Sequence, residues 1–401
     1  MARVQYREID GRSGGFLALL AVLGALILGG LAAAWTMEHQ GHHITGMTNR
    51  IVWGTPHVLA VFLIVAASGA LNVASIASVF GRALYKPLAR LSGLLALTLL
   101  AGGLAVLVLD LGRADRLIVA MTHYNFKSIF AWNIFLYTGF FAIVALYLWT
   151  MFEQRMHGYS ARAGLLAFLW RLILTTGTGS IFGFLVAREA YNSALLAPLF
   201  IVMSFAFGLA IFVLVLMSAY RWSGRVLGEV VLTRLGRLLG VFVAAVLYFV
   251  AVYHLTNLYI ARQHEVERFI LVDGGAYTAL FWIGQVVIGG IVPLALVYAP
   301  GARGSRSALA AAAACVIAGG LAQLAVLIIG GQAYPQQMFP GKEVSSRAFD
   351  GVVAAYAPSL PEVALAVGGV ALALALTAVA LKLLPFLPLS LADGDLESSA
   401  A

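Results

Sequence analysis

Apolar runs recur along this chain at a length that one structure satisfies. Gly14 to Met37 and Ile51 to Phe80 are each long enough to cross a hydrocarbon layer of roughly 30 Å as a helix. In lipid a single strand leaves its backbone groups unpaired, whereas a helix satisfies them within itself. Stretches of about 20 residues between charged connectors give ten spans, at 14–37, 51–79, 91–110, 128–151, 163–187, 198–219, 238–261, 276–299, 308–331 and 362–384. With 62% hydrophobic and 10% charged residues and a mean hydropathy of +0.95, no part has the polarity of a water-soluble domain. The fold class is an all-α polytopic membrane protein, and the even number of spans puts both termini on one side.

Lysine and arginine give the orientation, because short cytoplasmic connectors are enriched in them. Fifteen fall on the side of the termini and nine on the other, with Arg171 inside the fifth span. Both termini are therefore expected in the cytoplasm, with the protein in a bacterial cytoplasmic membrane. The net charge of +8 reflects this bias, and no basic domain exists that would bind nucleic acid. The first span is too long for a signal-peptide core and ends in Trp35-Thr36-Met37-Glu38, so it stays as a helix. The single cysteine, Cys315, excludes an iron–sulfur cluster held by this chain, which needs several thiolates, and an internal disulfide.

Leu88-Ala-Arg-Leu-Ser-Gly-Leu-Leu95 and Leu232-Thr-Arg-Leu-Gly-Arg-Leu-Leu239 resemble each other and open spans three and seven. They suggest a parallel repeat of two four-helix bundles flanked by the first and last helices. The expected divisions are a cytoplasmic N-terminus (1–13), the first helix with its outward loop (14–50), an N-terminal bundle (51–187), a C-terminal bundle (188–331), a long outward loop (332–361), the last helix (362–384) and a cytoplasmic tail (385–401). The long loop, with an amphipathic middle at 345–356, suits a docking surface. The short acidic tail, Asp393-Gly-Asp395-Leu-Glu397, is expected to be disordered. In span two, Ala66, Ala70, Ala74 and Ser78 form a small-residue stripe for helix packing. His57, Ser68, Asn72 and Ser75 form a polar line on a nearby face, fit for interhelical hydrogen bonds or for a proton path. Arg171 is expected to snorkel inward, and Arg188 with Glu189 to form an outer boundary pair.

Ionisable groups cluster at the outward helix ends: His57, then Asp110-Leu-Gly-Arg113-Ala-Asp115-Arg116, then His123-Tyr124-Asn125. Such groups at membrane depth are costly unless paired or functional. His57 lies about six residues into span two, roughly 9 Å of helix rise, where a lipid-soluble quinone reaches. Histidine and a desolvated carboxylate both exchange protons near neutral pH, as a two-electron, two-proton quinone reaction requires. Asp110 and Arg113 also have the spacing of a helical ion pair. The repeat offset takes Asp110 onto His254 and Arg113 onto Asn257, so only the first bundle keeps acid, arginines and the His-Tyr-Asn run together. The reaction site is expected there.

These segments resemble the NrfD/PsrC (polysulfide-reductase-like) membrane subunits. The resemblance rests on Trp53-Gly-Thr-Pro-His57, Ser68-Gly-Ala-Leu-Asn72-Val-Ala-Ser75, Asp110-Leu-Gly-Arg113, His123-Tyr-Asn-Phe-Lys127-Ser with Trp132-Asn133, and Tyr356-Ala-Pro-Ser-Leu-Pro-Glu362. Within the family the chain is most similar to DsrP-type subunits of sulfur-metabolising Dsr complexes, and it is also similar to HybB-type hydrogenase subunits. The resemblance implies a subunit that is not catalytic alone, holds no redox centre of its own, binds menaquinone or ubiquinone near the extracytoplasmic face and docks a ferredoxin-like iron–sulfur subunit there. A multihaem cytochrome c is a further implied partner. It implies His57 and Tyr124 against the quinone headgroup and Asp110 as proton acceptor, with Arg113, His123 and Asn125 beside them. Members usually read Asp-Leu-Gly-Arg-Pro, whereas residue 114 here is Ala, which leaves the chain after Arg113 free to continue helically.

Two other classes fit parts of the pattern. A b-type haem anchor would use His57 and His254, the two histidines inside spans. A secondary transporter would account for the repeat, but such proteins place polar sites at the midplane.

Overall fold

The computed structural model describes residues 4–301, 304–335 and 352–394. Among them are ten helices long and apolar enough to cross a membrane: α1 Gly14–Gln40, α2 Thr55–Ser78, α3 Ala83–Leu109, α4 Ile129–Phe152, α5 Gln154–Gly183, α6 Leu196–Ser223, α7 Glu229–Tyr259, α8 Ala276–Tyr298, α9 Arg306–Ala333 and α10 Leu360–Leu383. The chain is an all-α polytopic membrane protein, and hydrophobicity alone located every span. The ends moved where polarity misled. α7 begins at Glu229 rather than 238, because its first turns are amphipathic and still helical. Conversely α2 begins at Thr55, with Gly54 as N-cap and Pro56 in its first turn, so His57 lies nearer the surface than expected.

Helices α2 to α5 pack in sequence order, α4 against α5 and α3, and α2 against α3, α5 and α6. Helices α6 to α9 follow likewise, while α1 pairs with α10, which lies on α3 and α2. The α2–α6 crossing brings two backbones together. A Cβ on Gly69 would run into the Ser204 carbonyl, and one on Gly208 into the backbone of Gly69 and Ala70. The small stripe of α2 is thus a packing surface, as close approach in lipid requires. α8 and α9 carry π-helical turns at Leu280–Ile291 and Val326–Gly330.

Both chain ends meet on one face. β1 (Tyr6–Arg7) pairs antiparallel with β3 (Leu387–Pro388), and β2 (Val226–Leu227) pairs with β4 (Ser390–Leu391). Arg225 fastens this clasp, donating to the carbonyls of Arg7, Glu8, Leu387 and Pro388. Asp393 Oδ1 accepts from Val230 N at the start of α7, 3.0 Å away. The described part of the tail is therefore anchored rather than disordered, because its carbonyls and carboxylate meet donors that the preceding connectors supply. The amphipathic middle of the long loop lies largely outside the described residues, as does Glu397.

Candidate functional site

Two polar side chains meet at the far end of the bundle, opposite the chain termini. α3 stops at Asp110, its C-cap, whose N–H closes the last turn on Val106 O at 2.9 Å. This places the carboxylate beside the first turn of α2. His57 Nδ1 lies 2.9 Å from Asp110 Oδ2, with the carboxylate side chain 1% exposed and the imidazole 20% exposed. The approach is off-line, and neither carboxylate oxygen nor His57 Nδ1 has a hydrogen-bond partner among the described residues. A buried polar atom without a partner costs about 1–3 kcal/mol. Such an atom marks a place where a further donor fits. The Trp53 indole stacks near the imidazole, ring centres 6.1 Å apart, and meets Phe130 and Phe182 on its other sides.

The segment that enters α2 is held by residues distant in sequence. Gln332 at the end of α9 accepts from the N–H groups of Val52 and Trp53 and donates to the Trp53 and Ile328 carbonyls. The half-buried Arg188 donates to Gln332 O at 2.8 Å and to Arg50 O at 2.7 Å. Burial lowers the pKa of that guanidinium from its ordinary value. Tyr356 Oη accepts from Thr55 N at 2.7 Å and donates to Glu362 Oε1 at 2.6 Å. Glu362, fully buried, also accepts from Gly46 N and Ser359 N and completes a capping box with Ser359. Burial first, and then the Glu362 carboxylate, raise the Tyr356 hydroxyl above its ordinary pKa. The Ser359-x-x-Glu362 spacing was a local signal for the cap. Nothing local pointed to Gln332 or Tyr356 as holders of the α2 entrance.

The other sequence candidates lie on the connector after Asp110. Arg113 pairs with Asp115, Nε to Oδ1 3.3 Å, and not with Asp110, because Leu111 to Arg113 leave the helix and Arg113 sits at φ −140°, ψ 65°. The chain does not continue straight through Ala114: a 3₁₀ turn at Ala114–Arg116 leads to a short helix at Leu117–Thr122. His123 ends that helix with Nδ1 3.0 Å from Thr122 Oγ1. Asn125 Oδ1 accepts from Lys127 N in a turn, and Tyr124 lies against Phe135, ring centres 4.1 Å apart. No hydrogen bond, ion pair or ring contact among the described residues joins these four to His57 and Asp110.

The second bundle holds a related pair that the sequence did not reveal. His254 Nδ1 is 2.6 Å from Glu267 Oε2, and Asn257 Nδ2 donates to Glu267 Oε1 at 2.8 Å. At the position that the expected repeat pairs with Asp110 stands a histidine whose acid comes from the following connector. Each Glu267 oxygen has a partner, whereas each Asp110 oxygen lacks one. Glu189 pairs with Arg262 at 3.8 Å and not with Arg188. Arg171 does not snorkel. It is fully buried inside α5, donating to Asn72 Oδ1 at 2.9 Å.

Residues 43–336 match the family described as Polysulphide reductase, NrfD. The Hdr-like menaquinol oxidoreductase integral membrane subunit of Archaeoglobus fulgidus is 29% identical over 96% of this chain and 97% of its own length. A protein of Halobacterium salinarum, provisionally named as a dimethyl sulfoxide reductase membrane subunit, is 28% identical over 92% of this chain and 91% of its own. A selenate reductase subunit of Mesobacillus selenatarsenatis is 23% identical over 91% and 93%.

Proposed function

The chain belongs to the polysulphide reductase, NrfD family, and on that premise we propose that it is the quinol-reactive membrane subunit of a multi-subunit oxidoreductase. One observation carries the site: the buried Asp110 carboxylate has neither oxygen hydrogen-bonded, beside His57 at the surface end of two membrane helices. A bound quinol supplies two electrons and two protons.

Asp110 is the proton acceptor, since both of its oxygens keep lone pairs that no described donor occupies. In the His57 tautomer protonated at Nδ1, Nε2 is left as an acceptor for a ring hydroxyl. Trp53 gives the ring a flat apolar wall. Arg113, His123, Tyr124 and Asn125, on the connector after Asp110, form the mouth through which protons reach the extracytoplasmic side. Gln332, Arg188, Tyr356 and Glu362 fix the α2 entrance, so that His57 keeps its distance from Asp110.

Electrons pass to or from a ferredoxin-like iron–sulfur subunit docked on the far face, with a multihaem cytochrome c as a further partner. The name of the Archaeoglobus relative favours menaquinol over ubiquinol. A sulfur-metabolising complex of the DsrP type is the setting that the sequence resemblance favours, in a bacterial cytoplasmic membrane with both termini inside.

In the assembled complex, His57→Ala and Asp110→Asn should each lower quinol-linked electron transfer by about 100-fold, the range of a lost acid or base. Unchanged transfer in both variants would place the site elsewhere. Lipid extraction of the purified protein should yield quinone, while a Soret band in its spectrum would favour a haem anchor instead.

A further inference from the structure

The N-terminal bundle contains a cation with no acid to balance it. Arg171 is fully buried in the interior of α5, several turns from either end of a helix long enough to cross a membrane. Its Nη2 donates to Asn72 Oδ1, while Nε and Nη1 have no acceptor among the described residues, and no carboxylate there pairs with it. The rings of Phe168 and Phe205 lie 5.0 and 4.9 Å from its guanidinium carbon, so the charge is held by aromatic faces and one amide.

Polar groups continue on both sides of it. Towards the far face, Thr175 Oγ1 lies 2.6 Å from Ser68 Oγ, one turn along the same helix faces. Towards the terminal face, Ser75 continues the polar line of α2, its hydroxyl donating to Leu71 O. Hydroxyls on both sides of the buried cation would begin a leak across the membrane if protons could hop past it.

A hopping chain needs every member to accept one proton and donate another. Hydroxyls and waters do both. A guanidinium has donors only and stays protonated. Its uncancelled positive charge, in a medium of low dielectric, also repels an approaching proton. We propose that Arg171 is an electrostatic barrier that closes the N-terminal bundle to protons, so that those exchanged at the outer end return to the outer side. The barrier rests on the bundle's geometry, and its test needs no quinol.

The full chain is reconstituted in vesicles enclosing a pH-sensitive dye, and a potassium gradient with valinomycin drives protons inward. Wild-type vesicles should acidify no faster than vesicles without protein. Arg171→Gln keeps a donor for Asn72 but is neutral and can accept, and should raise the proton flux by about ten-fold or more, the factor for a small drop in barrier. Asn72→Asp sets a carboxylate against the guanidinium, cancels its field and supplies an acceptor, and should leak likewise. Arg171→Lys keeps the charge and should remain tight. Proton conduction by the wild type overturns the proposal. So does a tight Arg171→Gln or Asn72→Asp variant that elutes and unfolds as the wild type does; either variant suffices should the other fail to fold.

Discussion

Gln332 grips the Trp53 peptide on both sides, its Oε1 3.1 Å from Trp53 N and its Nε2 3.0 Å from Trp53 O. One side chain at the end of α9 thus does for Trp53 what a neighbouring strand does in a sheet, and sets the wall against which His57 stacks. Gln332→Ala leaves these buried backbone groups unpaired and should cost about 2–3 kcal/mol, read as a lower unfolding temperature in detergent, and should slow quinol turnover. Gln332→Glu, which keeps the acceptor but loses the donor, should fall between. An alanine variant with wild-type turnover and stability would leave Gln332 without this role.

The two histidine–carboxylate pairs should respond oppositely to mutation. Asp110 is buried with unpaired oxygens, so Asp110→Leu relieves that burden and should leave the unfolding temperature equal or higher while abolishing electron transfer. Glu267 is paired at both oxygens, so Glu267→Ala strands His254 and Asn257 and should destabilise by about 2–4 kcal/mol. Equal unfolding temperatures for both variants would contradict the contrast.

Alkaline pH should loosen the α2 entrance through Tyr356. Its pKa in the fold is raised above the ordinary tyrosine value of 10.0. A raised pKa means that the stabilisation is complete below the unfolded pKa and fades as pH climbs from there through the folded value. Unfolding temperatures measured from pH 8 upward should therefore fall above about pH 10, and the Tyr356→Phe variant should lack that part of the fall. Parallel curves for the two proteins would remove Tyr356 from the account.

Close helix approach predicts a steep penalty at one crossing. Gly69→Ala and Gly208→Ala each drive a methyl group into facing backbone. Neither neighbour is a side chain able to rotate away, so each should cost about 3 kcal/mol or more. Loss of the monodisperse species in detergent chromatography is the readout, and Gly14→Ala, where a Cβ meets open space, is the neutral control.

The ten spans were legible because about 20 apolar residues in a row have few alternatives. His57 and Asp110, singled out for their cost at membrane depth, stand 2.9 Å apart. Arg171 was misjudged, because a helix apolar on all sides has no periodicity to tell a lipid face from a core face, so a buried cation reads like one that snorkels. Arg113 was assigned by helical spacing to an acid three residues back, but the helix ends at that acid and the arginine turns to Asp115. Glu267 and Gln332 were hidden for another reason. Their partners lie on the preceding helix or on the connector before α2, and no local pattern encodes which distant group a buried amide or acid will serve.

The anchoring of the α2 entrance by Tyr356 has a consequence in time. Tyr356 follows Thr55 by 301 residues. A ribosome needs roughly 15–60 s to cover that distance at about 5–20 residues per second. For most of that interval the nascent chain already contains His57 and Asp110, yet its entrance segment is unfastened. A chain released early, before its tenth helix, would be inserted but unfinished at its outer end. The outer end is therefore fastened only after Tyr356 and Glu362 have been made.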